Sequence, residues 1–219
     1  IIKKLSDVDA IFTNPNKSRV FLDKEIINAG KNLKVICTAS TGINHINNDY
    51  AIKQKIKILS LTKELKIINK ISSTAELAIT LTLMALRNII PATNSVMKKK
   101  WDYENFVGRQ LDSISIGVIG LGRLGKIYAK KMSFLGCKVY YFDPYINKKK
   151  KFNYYNCNKI IDIFKKCDVV SFHIHADKKN IGLIDSKILK SAKKDCIIIN
   201  TSRGEILNEK DVCDFLRKN

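Results

Sequence analysis

One segment constrains the fold of this chain more than any other, because residues 115–144 contain a strand, a glycine turn, a helix and a second strand in succession. The apolar, β-branched residues of 116–119 predict a buried strand. Gly120, Gly122 and Gly125 follow with GxGxxG spacing, which permits a tight turn, close approach of a pyrophosphate to bare backbone, and close packing of the helix on the strand. Free N–H groups at the start of that helix favour bound phosphates. The segment therefore predicts a dinucleotide site.

The residues that follow the turn agree with this prediction. Apolar residues at helical spacing over 127–135 predict a helix that ends at Gly136, and 138–142 predicts a second strand. Asp143 ends that strand, close to where a carboxylate would accept hydrogen bonds from the adenosine ribose hydroxyls. An acid at this place favours NAD, because it would repel the 2′-phosphate of NADP. A glycine turn that binds no phosphate is the alternative, and the surrounding strand, helix and acid disfavour it.

Composition argues against several classes of protein. The longest apolar run, residues 77–90, is interrupted by polar side chains and is shorter than the ~20 residues of a membrane span, so we expect no membrane segment. The first residues lack the pattern of a signal peptide and look like a start in mid-domain. Six cysteines show neither CxxC pairs nor metal-ligand spacing. We therefore predict a cytoplasmic protein with reduced thiols and no metal.

The formal net charge of +20 raises the question of nucleic-acid binding. Only six of the 40 basic residues are arginines, and the lysines are spread along the chain among many Ile and Asn residues. Aromatic residues do not interleave with them, and no recognition motif accompanies them. A coding bias explains the lysines as well as a polyanionic partner does. The sequence thus disfavours nucleic acid and predicts a weak attraction to anionic cofactors and substrates.

The first part of the chain alternates strand patterns with helix patterns. This order predicts a parallel sheet, so we expect residues 1–72 to form an α/β domain. Residues 63–71 are expected to be a polar connector. The predicted strands lie within 7–14, 34–39 and 56–61, and the predicted helices lie at 21–30 and 50–54.

A long helix is predicted from Ser73 to about Ile90. Ser73 and Glu76 form a capping-box pattern, in which each side chain caps the backbone N–H of the other residue. Pro91 disfavours helix at the residue before it, and this sets the predicted end. Apolar residues cover two sides of the helix, as expected of an interdomain or intersubunit helix and equally of a plain core helix.

The rest of the chain continues the alternation of strands and helices. Residues 148–151, a lysine run, and 153–158 are expected to form a polar surface loop. We expect residues 73–219 to form a second domain, a parallel sheet with helices on both faces. Its further predicted elements are strands at 168–174 and 196–200 and helices at 160–166, at 185–191 with Asp185 or Ser186 as cap, and from about Asn208.

Ligands in an open parallel sheet gather at the carboxyl ends of the strands, where Arg203 stands. Its guanidinium is a planar fork of donors that suits a carboxylate, and an exposed or ion-paired arginine is the alternative. His173 also follows a strand, where a hydrogen-bonded structural histidine is the alternative, and His45 is a weaker candidate. The sequence shows no GxSxG nucleophile motif.

Six motifs occur in order along essentially the whole sequence. They are TASTGINHIN (38–47), STAELAITLTLMALRNI (73–89), GVIGLGRLG (117–125), DVVSFHIH (168–175), GLID (182–185) and INTSRGEILNE (199–209). Together they resemble the D-isomer-specific 2-hydroxyacid dehydrogenases, a group that contains D-3-phosphoglycerate dehydrogenase, D-lactate dehydrogenase and glyoxylate or hydroxypyruvate reductase. The resemblance implies a Rossmann dinucleotide-binding domain at 73–219, incomplete at its C-terminus. It also implies a partial flavodoxin-like substrate domain at 1–72, incomplete at its N-terminus.

The resemblance implies roles for individual residues. Ser40, Thr41 and Gly42 match the loop whose backbone N–H groups bind the substrate carboxylate. Arg203 matches the catalytic arginine, which would hold the 2-oxo acid and polarise its carbonyl while hydride passes between C2 and the nicotinamide. The implied NAD-binding residues are Thr74 near the nicotinamide, Gly120, Gly122, Arg123, Leu124 and Gly125 at the pyrophosphate, Asp143 at the ribose, and His173, Thr201 and Ser202 nearby.

The implied activity is NAD-dependent interconversion of a D-2-hydroxy acid and its 2-oxo acid by a homodimer. A non-catalytic NAD-sensing scaffold of the same fold is one alternative, and a dehydrogenase of a sugar acid or phosphite is another. The proton donor of the family, a histidine supported by a glutamate, is expected beyond residue 219. Residues 1–219 alone are therefore expected to bind NAD without being active.

Three positions depart from the pattern of the family. His175 replaces a proline, and Asn208 stands where an aspartate is common. Thr38 occupies a place that is often basic in phosphoglycerate-type members, which weakens the expectation of a phosphorylated substrate.

Overall fold

The computed structural model describes residues 2–14, 20–146, 152–177 and 179–218. The chain divides into two compact units, Ile1–Ile71 and Ser72–Asn219. Each unit is built on a parallel sheet with helices packed against it, which confirms the predicted α/β class.

The first unit alternates short strands and helices. Its elements are β1 Ala10–Thr13, α1 Lys24–Ala29, β2 Val35–Thr38, α2 Asn48–Lys53, β3 Lys57–Ser60 and α3 Leu65–Ile68, with 3-10 turns at Ile2–Lys4 and Leu61–Lys63. The strands form a parallel sheet in the order β1-β2-β3. Ile27 of α1, Ile36 of β2 and Ala51 of α2 are fully buried in one apolar cluster. This cluster is the core that holds the helices against the sheet.

The predicted polar connector at 63–71 is partly wrong, because α3 lies within it. Ile68, at the end of α3, is buried, whereas Leu65 and Ile67 are exposed. One buried apolar side chain is enough to hold a single helical turn against the core. The sequence of the segment, which is rich in lysine, does not show that one of its apolar side chains is buried.

The sheet of the second unit has five parallel strands. They are β4 Ser115–Ile119, β5 Lys138–Phe142, β6 Tyr155–Asn156, β7 Val169–Phe172 and β8 Ile197–Asn200. Their order in space is β6-β5-β4-β7-β8, so the chain first adds strands on one side of β4 and then on the other. A reversal of this kind creates the crevice in which open α/β sheets bind ligands.

Helices cover both faces of this sheet. They are α4 Ser73–Leu86, α5 Ile89–Met97, α6 Arg123–Phe134, α7 Ile160–Lys166, α8 Ser186–Leu189 and α9 Glu209–Lys218, with 3-10 turns at Tyr103–Phe106, Leu111–Ser113 and Gly204–Ile206. Ile116 and Val118 of β4 belong to the cluster with α4 and α6, whereas Ile119 belongs to the cluster with α7. Gly117 lies so close to Ile163 of α7 that a Cβ would overlap it. The alternation of β4 thus sends side chains into two separate cores.

The predicted helix 73–90 is wrong at its end. α4 stops at Leu86, Asn88 adopts left-handed backbone with φ 51°, and α5 begins at Ile89. Pro91 lies in the first turn of α5, where its missing N–H would have no helical partner in any case. The proline therefore permits a new helix instead of ending the previous one.

The predicted capping box does not form, because no side chain caps a backbone N–H at the start of α4. α4 begins at Ser73, so Ser72 occupies the capping position, and its Oγ donates to Oε1 of Glu76 at 2.6 Å. Glu76 also lies 3.5 Å from Nζ of Lys131 on α6. The start of α4 is therefore braced by side-chain contacts to the helix beside it.

The predicted polar surface loop at 153–158 is partly wrong, because two of its exposed residues form an edge strand, while 148–151 lies outside the described residues. Within this stretch β6 pairs with β5 in parallel register. The ring of Tyr155 lies 5.1 Å from that of Tyr140, and Cys157 is buried. Ring contacts and burial across the sheet edge outweigh the polar composition of the segment.

Across the described ranges, no single helix combines the length and hydropathy of a membrane span. The segments Leu65–Leu86 and Ile89–Met97 meet those criteria only together, and they are bent by 64°. Ala75, Ala78 and Leu86 in the first of them are buried in the core of the second unit.

Candidate functional site

The GxGxxG turn has the backbone geometry that its spacing predicts. Gly120 has φ +89°, and a Cβ there would lie 2.7 Å from the backbone oxygen of His173. A Cβ at Gly125 would overlap the Gly120 oxygen, so only glycine lets α6 pack this closely on β4. A Cβ at Gly122 would meet no atom within 4 Å, which leaves open space at the start of α6. That space is open to a diphosphate beside the N-terminal N–H groups of the helix.

Asp143 lies beside this turn. Its Oδ2 accepts a hydrogen bond from the Leu121 N–H at 2.8 Å, and its Oδ1 accepts from the Tyr145 N–H at 2.9 Å. These two bonds hold the carboxylate at the carboxyl end of β5. Arg123 and Leu124 open α6, and Leu124 packs on the core, so the atoms that it offers a ligand are those of its backbone.

His173 follows β7 and is half-buried beside the turn. Its Nε2 lies 3.0 Å from Ser171 Oγ, and its ring lies 5.0 Å from that of Tyr128. Burial lowers the pKa of His173 to about 4, so the imidazole is neutral at physiological pH. The hydrogen bond fits the structural alternative, and the place beside Gly120 fits the cofactor role. His175, two residues on, is exposed.

The end of β8 carries three of the predicted site residues. Ser202 Oγ donates to the Phe172 carbonyl at 2.8 Å, which ties the end of β8 to β7. Thr201 Oγ1 is buried and has no partner in the described part of the chain. Arg203 is exposed and donates to the Ser202 carbonyl at 2.9 Å. No carboxylate of the described residues lies within 4.0 Å of its guanidinium, so Arg203 is not ion-paired, while its exposure fits both the exposed-arginine alternative and a ligand-binding role.

In the first unit, the loop after β2 turns its carbonyl groups inward. The Ser40 carbonyl accepts from the Leu61 N–H at 3.0 Å, and the Thr41 carbonyl accepts from Thr62 Oγ1 at 2.9 Å. The Gly42 carbonyl accepts from Ser40 Oγ at 2.6 Å. The N–H groups of Thr41 and Gly42 donate to none of the described groups. The loop thus keeps backbone donors available for an anion such as a carboxylate.

Thr74 lies in the first turn of α4 and is half-buried. Its contact with the nicotinamide stays a prediction, as do the other ligand contacts assigned above. Within the ranges that the structure describes, no three His, Cys, Asp or Glu side chains are placed to share a metal ion.

Sequence reasoning missed a buried polar group behind His173. Thr82 of α4, Tyr128 of α6 and Ser171 of β7 are fully buried. Tyr128 OH lies 2.8 Å from Thr82 Oγ1, and burial raises the pKa of Tyr128. A polar residue at a core position of an apolar pattern could have indicated this group, as Ser171 does in the run VVSF.

Sequence reasoning also missed the contacts of Asp168 at the opposite end of the sheet. Its Oδ1 accepts from Arg109 at 2.7 Å and from Lys193 at 3.1 Å, and its Oδ2 accepts from the Ser115 N–H at 2.8 Å. Burial opposes ionisation of Asp168, but the hydrogen bonds from these three partners outweigh it and lower the pKa.

The chain matches the models of two protein domains and is similar in sequence to curated proteins. Residues 1–99 match the catalytic domain of the D-isomer specific 2-hydroxyacid dehydrogenases, and residues 79–219 match their NAD binding domain. The chain is 33% identical over 212 residues to D-3-phosphoglycerate dehydrogenase of Archaeoglobus fulgidus, which covers 95% of this chain and 38% of that protein. The chain spans about 40% of the length of such curated relatives.

Solved structures share the fold of this chain, among them a formate dehydrogenase and a D-lactate dehydrogenase. Formate dehydrogenase of Granulicella m. has a TM-score of 0.88 at 24% identity, covering 99% of this chain and 57% of that one. D-lactate dehydrogenase of Aquifex aeolicus, complexed with NAD and lactic acid, has a TM-score of 0.87 at 24% identity, covering 100% and 63%. The family match to an NAD binding domain confirms the predicted cofactor. With both domain types matched in order along its length, the chain belongs to the D-isomer specific 2-hydroxyacid dehydrogenase family.

Proposed function

We propose that this chain is part of an NAD-dependent oxidoreductase that interconverts a D-2-hydroxy acid and its 2-oxo acid. The observation that carries the proposal is Arg203, an exposed guanidinium without a carboxylate partner among the described residues. It stands at the carboxyl edge of the sheet that also carries the glycine turn. Relatives named for 3-phosphoglycerate, formate and lactate support the class of reaction and leave the identity of the acid open.

In this proposal the residues hold the reactants and direct charge. Arg203 binds the carboxylate through its planar fork and draws electron density from the carbonyl oxygen. The backbone donors of Thr41 and Gly42 bind a carboxylate as well. The glycine turn and Asp143 hold the cofactor, which supplies or accepts the hydride when bound. The open space at Gly122 fits this role, because a Cβ there would fill it.

The proton that accompanies the hydride needs a separate source. His173 is a poor source of it at neutral pH, because burial lowers its pKa to about 4 and favours the unprotonated imidazole. We propose that the donor is the glutamate-supported histidine that the family resemblance places after residue 219. General acid catalysis typically contributes about 10²–10⁴-fold, so residues 1–219 alone would bind NAD and reduce 2-oxo acids far more slowly than the active enzyme.

An assay of the active enzyme against a panel of 2-oxo acids with NADH tests the proposal. Oxidation of NADH that depends on one of the acids is the expected result. NAD binding without turnover of any acid would instead favour the NAD-sensing scaffold. Phosphite and sugar acids belong in the same panel, since turnover of these alone would assign the alternative substrates.

We also propose a cytoplasmic homodimer. α4 buries one side in the core, and α4 and α5 both expose large apolar side chains, among them Leu77, Ile89, Ile90 and Val96. Exposed apolar patches of this kind are common at subunit interfaces. Sedimentation at micromolar concentration should give a dimer, and Leu77→Lys should shift it toward monomer. A wild-type monomer under these conditions would contradict the proposal.

A further inference from the structure

Two hydroxyl groups lie where β2 meets the loop that follows it. Thr38 ends β2 and is only 4% exposed, and Ser40 is half-buried two residues on. Their oxygens, here called the hydroxyl pair, lie 2.9 Å apart. Because a buried hydroxyl group loses its contacts with water, it needs a partner within the protein. The hydroxyl pair therefore joins the last residue of the strand to the loop.

The Gly42 carbonyl sets the direction of the hydrogen bonds of the hydroxyl pair. A carbonyl oxygen can only accept, so Ser40 Oγ donates its one proton to the Gly42 carbonyl, at 2.6 Å. Ser40 then has no proton left for Thr38, so Thr38 Oγ1 is the donor between them. Thr38 pairs with Thr13 and Ser60 of the neighbouring strands. The hydrogen bonds thus run from fixed backbone of the sheet, through Ser40, to Gly42.

Three consecutive carbonyl groups of this loop are held by the protein. Those of Ser40 and Thr41 accept hydrogen bonds from residues 61–63, and that of Gly42 accepts from the hydroxyl pair. No peptide bond of the described residues is cis, and in a trans peptide the N–H points away from the carbonyl of the preceding residue. The N–H groups of Thr41, Gly42 and Ile43 therefore point away from the groups that hold these carbonyls.

Ile43 is fixed by two further contacts. Its side chain packs on the apolar core of the first unit, and its carbonyl accepts from the Ile46 N–H at 3.0 Å. Its N–H donates to none of the described groups, which is equally true of Thr41 and Gly42. Backbone N–H groups without a partner in the protein can donate to an anion. The loop thus offers three consecutive donors.

We propose that the hydroxyl pair positions the peptide between Gly42 and Ile43, and that the Ile43 N–H is a third donor to the carboxylate of the 2-oxo acid. The inference rests on the proposed function, because it takes this loop as a carboxylate site. Ile43 touches the substrate through its backbone, whereas Thr38 and Ser40 act through the Gly42 carbonyl as positioning residues. Without the hydroxyl pair this peptide is free to rotate and to turn its N–H away from the carboxylate.

The first test observes this peptide by NMR in the ligand-free active enzyme. The pair Gly-Ile occurs once in residues 1–219, so ¹³C-carbonyl glycine and ¹⁵N isoleucine give one signal here that joins the Gly42 carbonyl to the Ile43 N–H. Ile43→Leu assigns it. A carbonyl carbon moves upfield when it loses a hydrogen bond, so we expect an upfield shift in Ser40→Ala and the wild-type position in Ser40→Thr. An unchanged carbonyl signal in Ser40→Ala would overturn the proposal.

The second test adds NADH and oxamate, an unreactive analogue that carries the carboxylate of a 2-oxo acid, to the same labelled enzyme. We expect the Ile43 amide proton to move downfield at saturation, because a carboxylate is a strong acceptor. An unmoved Ile43 proton in an enzyme that oxamate inhibits would overturn the proposal. Absence of both turnover and oxamate binding would refute the proposed function and with it the role of Ile43, whereas the ligand-free carbonyl signal depends on neither.

The third test separates binding from chemistry with variants of Thr38. Thr38→Val removes the hydroxyl group with little change of shape, whereas Thr38→Ser keeps it. We expect Thr38→Val to raise KM for the 2-oxo acid about two- to tenfold, the range for one hydrogen bond. Turnover should change little, because donors to the carboxylate act alike on the bound substrate and on the transition state. Thr38→Ser should match the wild-type enzyme, and a wild-type KM in Thr38→Val would overturn the proposal.

Combining the variants tests whether Thr38 acts through Ser40. If it does, Thr38→Val has nothing further to remove in Ser40→Ala, so the double variant should have the KM of Ser40→Ala alone. Thr13→Val is the matched control, because Thr13 pairs with Thr38 across the sheet and its hydroxyl group makes no hydrogen bond with the described residues. Multiplied effects on KM in the double variant, or a raised KM in Thr13→Val, would overturn the proposal.

Discussion

The two ends of the five-stranded sheet use charged side chains in opposite ways. At the amino end, Asp168 accepts hydrogen bonds from Arg109 and Lys193 and from the backbone where β4 begins. At the carboxyl end, Arg203 is exposed and has no carboxylate partner within the described ranges. The charged side chain at the amino end is hydrogen-bonded within the protein. The guanidinium at the carboxyl end is available to bind a ligand.

Burial explains why the two arrangements differ. The Asp168 side chain is only 10% exposed, so without partners its charge would be costly to keep from water. Its carbonyl and N–H also bond the first residues of β8 and β4, so the residue joins three strands at their start. Arg203 lies in water, where an unpaired guanidinium costs little. We infer that the amino end contributes stability and the carboxyl end contributes binding.

The largest expected effect is on turnover, and it comes from substituting Arg203 at the carboxyl end of the sheet. If Arg203 acts as proposed, Arg203→Ala removes a donor aimed at the developing charge on the carbonyl oxygen, which typically costs about 10²–10³ in turnover. Losing the carboxylate fork should raise KM as well, and Arg203→Lys should restore little because a point charge does not reproduce the fork. Steady-state kinetics of the active enzyme measure both constants.

An arginine at the other end of the sheet provides the control. Arg109→Lys changes the same residue type beside Asp168, and we expect wild-type kinetics with reduced stability. Near wild-type turnover in Arg203→Ala would remove the carboxylate role from Arg203.

The next effect in size is on stability, at Asp168. Asp168→Asn weakens three hydrogen bonds, while the half-exposed Arg109 and Lys193 can return to water. We therefore expect the free energy of unfolding to fall by about 1–3 kcal/mol. Urea unfolding at pH 7 measures this loss, and NAD affinity should stay unchanged. A variant as stable as the wild-type protein would show that the amino end does not carry the stability inferred above.

The pH dependence of stability gives a second test of the contribution of Asp168. The pKa of Asp168 is lower in the folded protein than the ~3.9 of an unfolded chain. Its contribution is therefore complete above about pH 4–5 and is lost as the pH falls through the lower, folded pKa. Unfolding of Asp168→Asn should be less acid-sensitive than that of the wild-type protein. Equal acid sensitivity would assign the loss to other carboxylates.

Local patterns of the sequence predicted most of the fold, and contacts between distant residues account for the errors. The helix break at Asn88 is one such case. Asn88 donates to the Val107 carbonyl at 3.2 Å, and Arg109 N–H donates to the Leu86 carbonyl at 2.9 Å. A left-handed residue held by a segment 19 positions away leaves no local signal. The sequence around Pro91 therefore predicts helix correctly but places the end of α4 at the wrong residue.

The same distinction applies to the candidate site. The glycine turn and Asp143 were predictable, because their spacing within one strand-helix-strand unit is the geometric requirement itself. The buried polar group of Thr82, Tyr128 and Ser171 was not, because its members come from three elements that only the fold brings together. Ser202 was assigned from resemblance alone, and its bond to the Phe172 carbonyl adds a structural task that the sequence does not reveal.

Asp143 gives a further prediction, which concerns selectivity between cofactors. Its carboxylate is held beside the turn by two backbone N–H groups, so a 2′-phosphate there would face it without compensation. We expect NADH to bind more tightly than NADPH by on the order of 1–3 kcal/mol. Asp143→Ala should narrow this gap by about tenfold in the ratio of dissociation constants, or ~1.4 kcal/mol. Equal affinities in the wild-type protein would refute the assignment.

The smallest expected change in stability is that of Gly122→Ala. This variant separates the effect of the glycine turn on NAD binding from its effect on folding. Gly122 has φ −72°, which any residue adopts, and a Cβ there meets no atom within 4 Å. Gly122→Ala should therefore cost less than about 1 kcal/mol of unfolding free energy, mainly through a poorer helix cap. Its methyl group would occupy the space left for the diphosphate, so NAD affinity should fall while the fold stays intact.

Gly120→Ala is the matched control for Gly122→Ala, because it adds the same methyl group two residues earlier. There the backbone has φ +89° and the new Cβ would lie 2.5 Å from Ile174 and 2.7 Å from the His173 oxygen. The strained backbone alone costs about 1–3 kcal/mol, so this variant should lose stability as well as NAD binding. Titration with NAD and urea unfolding of both proteins make the comparison. If Gly122→Ala bound NAD as tightly as the wild-type protein, the diphosphate would have to lie elsewhere along this edge of the sheet.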